Sequence, residues 1–207
     1  MKAAAIIGRR RSDLRAVSMV CVLALLAGPA WAHSGTGLAG GFGSGFAHPF
    51  GGGDHLLAMV CVGVWGAFLG RPLVYALPVA FPMMMVVGAV AGMFAAPMAP
   101  VETGIAISVL TLGACIACAW RAPAWVALAI VATFALFHGY AHGRELPSAA
   151  DPVGYSLGFV FATGLLHVVG IGLGELGART RRMGVLRFVG VVVAAVGALY
   201  LYRALAA

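Results

Sequence analysis

Charge is what this chain has least of. Asp, Glu, Lys and Arg together make up 9% of its 207 residues, against 62% hydrophobic. A soluble domain carries about 25% charged residues, so this chain cannot cover a water-facing surface. Polar helix faces are missing too: one apolar stretch follows another with hardly a break, which excludes an ordinary soluble bundle. A basic surface for nucleic acid is also absent. The net charge of +7 misleads, because Lys2, Arg9, Arg10, Arg11 and Arg15, with Asp13, sit in the first 15 positions. No loop is long enough to hold a second domain, and no internal repeat is visible.

What is present is an all-α membrane protein, a bundle of about six transmembrane helices after a cleavable signal peptide. A basic start ends at Arg15, an apolar run covers residues 16–28, and Pro29-Ala30-Trp31-Ala32 closes it with an A-x-A pattern. Residues 1–32 are therefore expected to be a signal peptide and 33–207 a single transmembrane domain. The spans are expected near 53–70, 73–95, 102–120, 124–142, 153–175 and 185–204, with Pro and Gly at each break. The Gly count of 30 fits helices that approach closely. If the mature N-terminus lies outside, Arg71, Arg121, Arg179, Arg181, Arg182 and Arg187 fall on the cytoplasmic side, and only Arg144 and Arg203 fall opposite. That asymmetry is the positive-inside pattern and predicts a multi-pass protein of the bacterial inner membrane with a periplasmic N-terminus.

Ionisable residues inside a membrane are costly and mark function. They cluster twice here. His48-Pro49-Phe50-Gly51-Gly52-Gly53-Asp54-His55 stands at the start of the first mature span, with His48 just before the helix and a glycine-rich bend able to return it over the helix end. Phe137-His138-Gly139-Tyr140-Ala141-His142-Gly143-Arg144-Glu145 closes the fourth. His138 and His142, four apart, share a helix face. The topology brings both clusters to the periplasmic level. Imidazole with a carboxylate suits nickel or cobalt, and zinc also fits. The lack of a thiolate pair at the site disfavours soft Cu(I). Glu102 and Glu145 are candidates to fix an imidazole tautomer. His167, inside the fifth span, is a candidate second station, with Glu175 beyond it. The competing readings are structural: Asp54 as a helix cap, the His138/His142 pair as interhelical hydrogen bonds, His167 as a satisfied core residue, the glutamates as solvated helix ends. Cys115 and Cys118 read as packing residues, not a redox pair. Gly154-Tyr155-Ser156-Leu157-Gly158 lacks the strand–turn–helix context of a hydrolase nucleophile.

The H-x5-D-H run from His48 to His55, the block from Phe137 to Glu145, Val101-Glu102-Thr103-Gly104-Ile105-Ala106 and Leu165-Leu166-His167 resemble the HupE/UreJ family of nickel/cobalt permeases, over about residues 47–175. The resemblance implies secondary transport of Ni2+ or Co2+ for hydrogenase, urease or cobalamin pathways, with His48, Asp54, His55, His138 and His142 handling the metal. Phe50-Gly51-Gly52-Gly53 is more glycine-rich than the family pattern. The chain is thus expected to be a permease rather than an enzyme, with no prosthetic group. Its expected partners are the metal ion and the lipid bilayer, and self-association into a homo-oligomer is compatible with the sequence. The alternatives are a membrane metal sensor or binding module without flux, and a His-box metalloenzyme.

Overall fold

The computed structural model describes residues 41–145, 151–180 and 182–206, with the Glu145 side chain outside the described set. The expected signal peptide and Arg181 also lie outside it. The described residues form helices α1 (Phe42–Gly51), α2 (Gly53–Leu69), α3 (Leu73–Met93), α4 (Val101–Ala117), α5 (Ala124–Glu145), α6 (Pro152–Arg179) and α7 (Met183–Ala206). The chain is a multi-pass helical membrane protein. Four helices, α3, α5, α6 and α7, are long and apolar enough to cross a bilayer, and the bent pair α1–α2 makes a fifth span if counted as one. At 17 residues, α4 falls at the short end of the range of about 17–25 that spans the hydrocarbon. The six expected segments therefore correspond to α2 through α7, while four or five meet the length and composition for a crossing.

Local chemistry sets the breaks. Gly70 ends α2 at φ +74, a left-handed conformation that suits glycine, and its N–H bonds the Gly66 carbonyl. Asp151 caps α6 by accepting from the Gly154 N–H at 2.9 Å, with Pro152 opening the helix. Loop ends are tied by side chains: Tyr140 donates to the Ala96 carbonyl at 2.9 Å at one end of the bundle. At the other, Arg187 donates to the Ala117 carbonyl at 2.8 Å and Trp65 to the Trp120 carbonyl at 3.0 Å.

The most extensive helix contacts join partners distant in sequence: α3 with α5, α4 with α7, and α2 with α6, on which α1 also lies. Glycine makes each contact close. A side chain at Gly88 or Gly92 of α3 would strike the backbone of Leu136 or Tyr140, and one at Gly139 or Gly143 of α5 would strike Met85 or Ala89. Gly63 and Gly170 serve α2 and α6 in the same way, and Gly113, Gly190 and Gly197 serve α4 and α7. Backbones in contact gain dispersion energy where lipid tails offer no hydrophobic drive to associate. Between these pairs lies an apolar core built on Trp65, Leu77, Phe81, Leu112 and Val131.

Among the described helices, α1 is the one absent from the sequence-based expectation. His48 lies inside this helix rather than in a bend before α2, with Pro49 in the same helix. The bend itself is at Gly52, where extended backbone (φ −109, ψ 115) turns the chain by 87° between α1 and α2.

Candidate metal centre

Four helices deliver the site. α1 brings His48, α2 brings Asp54 and His55 in its first turn, α5 brings His138 and His142 in its last turns, and α4 contributes Ser108. Gly52 is bare because a side chain there would crowd the Asp54 carboxylate at 2.9 Å and the His55 Nδ1 at 3.2 Å. On α5 the two histidines and two glycines of the block from Phe137 to Glu145 divide the work. Gly139 and Gly143 dock the helix on α3, and that docking holds His138 and His142 on the neighbouring face.

The rings meet. His55 stands 4.7 Å from His138 and 4.8 Å from His142, centroid to centroid, and His48 stands 4.8 Å from His142. His138 is 0% exposed, His55 1% and His142 5%, whereas His48 is half-buried. Phe159 closes one side, 4.3 Å from His142, and Phe81 packs 5.7 Å from His138. The two sequence clusters thus converge as expected. Among the described residues, no three His, Cys, Asp or Glu side chains are closed around one point as ligands would be.

Hydrogen bonds fix which nitrogen of two rings is available. Asp54 Oδ1 accepts from the His55 backbone N–H at 2.7 Å and lies 2.8 Å from His55 Nδ1. A carboxylate accepts only, so His55 carries its proton on Nδ1 and presents the lone pair of Nε2. The Ser108 hydroxyl gives its single proton to the Ile105 carbonyl at 2.6 Å, so it accepts from His138 Nε2 at 2.9 Å. His138 then presents the lone pair of Nδ1. Both presented nitrogens, His55 Nε2 and His138 Nδ1, are buried without a hydrogen-bond partner. Leaving a buried polar group unpaired costs on the order of 1–3 kcal/mol, a large debit where folded domains are stable by only about 5–15 kcal/mol. Asp54 and Ser108 are outer supports of the kind that orient metal-ligating histidines. An ion here would be held by His55 and His138, with His48 and His142 within reach.

The other expected residues are placed differently. Glu102 is exposed in the first turn of α4. Glu145 ends α5, with its side chain outside the described set. His167 is buried on α6, one layer below the gathered rings, with Phe81 5.4 Å away. Glu175 is half-buried and pairs with Arg179 at 3.6 Å. Cys115 is buried in the core and Cys118 exposed, both as free thiols, and the Ser156 hydroxyl bonds the Pro152 carbonyl at 2.8 Å. Ser108 is the residue that sequence reading missed. Its helix also holds Thr103 and Thr111, so nothing in the sequence set Ser108 apart.

These features define a class: a multi-pass helical membrane protein with buried, pre-oriented imidazoles beside a broken helix. The family model described as "HupE / UreJ protein" matches residues 21–200. A relative named "Protein HupE" from Rhizobium leguminosarum bv. viciae is 45% identical over 177 residues, covering 85% of this chain and 93% of the relative. No solved structure matches. The chain belongs to the HupE/UreJ family, which is associated with nickel and cobalt transport.

Proposed function

We propose that the chain is a permease that takes up Ni2+ or Co2+ from the periplasmic side of the inner membrane and passes it inward. The observation that carries this reading is the pair of adjacent buried imidazoles whose partners leave one nitrogen of each without a hydrogen bond. Nitrogen donors of this kind suit late first-row divalent ions. Transit requires binding firm enough to admit the ion and weak enough to release it. Helices broken at a binding site are a recurring device of secondary transporters, and the Gly52 break lies within two residues of Asp54. His48, His55, His138 and His142 are the proposed ligands, Asp54 their orienting carboxylate, and Glu102 and Glu145 outer carboxylates that guide the cation in.

Accumulation of 63Ni and 57Co in cells stripped of their own uptake systems tests the proposal. Wild type is expected to accumulate one or both ions, and His55→Ala or His138→Ala to abolish this at unchanged membrane abundance. Activity retained in both variants would overturn the site. Bound metal without flux in the purified wild type would favour a binding module over a permease.

A further inference from the structure

Below the gathered histidines, α3 and α6 enclose a second set of polar atoms. His167 is 1% exposed, and neither of its ring nitrogens has a hydrogen-bond partner. One turn earlier on the same face of α6, Thr163 is 0% exposed and its hydroxyl is likewise unpaired. Helical hydroxyls ordinarily bond back to the preceding turn, as Ser156 and Thr180 do here at 2.8 and 2.7 Å. Across from them, α3 contains Pro78 and Pro82. Pro82 has no N–H, so the carbonyl of Pro78, four residues back, loses its helical donor. Phe81, between the two prolines, stands 5.4 Å from the His167 ring, which sets this turn of α3 beside the imidazole. Two imidazole nitrogens, a hydroxyl and a released carbonyl therefore collect in an apolar interior. Phe81 separates them from the upper site, its ring 5.7 Å from His138 and 5.4 Å from His167.

We infer that His167, with the Pro78 carbonyl, forms a second, inner binding position for the transported divalent cation. The inference rests on the permease reading above. Burial leaves these groups few alternatives, and buried polar groups without partners call for an ion or water that visits them. A neutral imidazole supplies the nitrogen donor that late first-row divalent ions prefer, with the carbonyl and hydroxyl as oxygen donors. An ion leaving His138 Nδ1 would pass the Phe81 ring and be received by His167.

The test uses the full-length protein in lipid nanodiscs for 63Ni equilibrium dialysis and in proteoliposomes for 63Ni flux. Wild type is expected to bind two equivalents. His167→Leu is expected to bind one, with the first affinity changed less than twofold, flux reduced at least tenfold, and a melting temperature without metal no lower than wild type. Pro82→Ala, which returns a donor to the Pro78 carbonyl, is expected to slow flux at least threefold without removing the first equivalent. Wild-type stoichiometry and flux in His167→Leu would overturn the inference and leave the permease reading standing, since His55→Ala would still abolish uptake. A lowered melting temperature with stoichiometry unchanged would also overturn it, as a purely structural histidine. Absence of saturable binding in wild type itself would bring down both.

Discussion

At the scale of single residues, the site depends on two groups that touch the imidazoles from behind. Asp54 and Ser108 each hold one nitrogen of their histidine and so decide which lone pair is left without a partner. Loss of such a support typically costs about 10–100-fold in metal affinity. Ser108→Ala is therefore expected to raise the half-saturating Ni2+ concentration at least tenfold in uptake assays at equal abundance; an unchanged value would remove Ser108 from the site. Asp54 offers a finer test. Its Oδ1 also accepts the His55 N–H, which would keep an asparagine the same way round. Asp54→Asn should preserve the His55 tautomer and retain more uptake than Asp54→Ala; equal loss in both would mean that the charge, not the orientation, is what matters. The histidines of both clusters were legible in the sequence because ionisable groups stand out in an apolar chain. Ser108 was not, since a serine in a membrane helix commonly just bonds its own backbone, which it also does here.

At the scale of elements, helix placement followed from runs of apolar residues and their Pro and Gly breaks, and α2 through α7 begin and end within a few residues of the expected positions. The helix α1 escaped because Phe42 to Gly51 contains three glycines and a proline, a composition that reads as a breaker. Tertiary packing overrides it: Gly45 and Gly158 let α1 and α6 come into backbone contact. The glycines of the His138/His142 block are equally informative. Gly139→Leu or Gly143→Leu would drive a side chain into α3, and overpacking of this kind costs about 1–3 kcal/mol or more. Both variants are expected to lose at least tenfold in uptake and to melt at lower temperature. Gly51→Ala, with nothing within 4 Å of the added carbon, is the matched control expected to keep wild-type melting. Normal melting in the two leucine variants would refute the docking role.

At the scale of the whole molecule, arginine distribution sets the orientation we propose. Arg71, Arg121, Arg179, Arg182 and Arg187 belong to one set of helix ends, Arg144 and Arg203 to the other. A reporter active only in the periplasm, fused after the final residue, is expected to be active, and a cytoplasm-only reporter silent. The reverse result would invert the bundle and turn capture at the outer face into release.

The glycine contacts that pair α3 with α5, α2 with α6, and α4 with α7 carry a mechanical consequence. Backbones that touch directly have no flexible side chains between them to absorb sliding, so each pair should travel as one body, and motion should concentrate along the seams between pairs. His55 and His167 ride on the α2–α6 body, His138 and His142 on the α3–α5 body, and Ser108 on the α4–α7 body. A seam shift of about 1–2 Å, ordinary for packed helices, would then spread or close the imidazoles without bending a single helix. The grip on the ion would be set by how the bodies are parked against each other, so that loading and unloading become two positions of the same rigid parts.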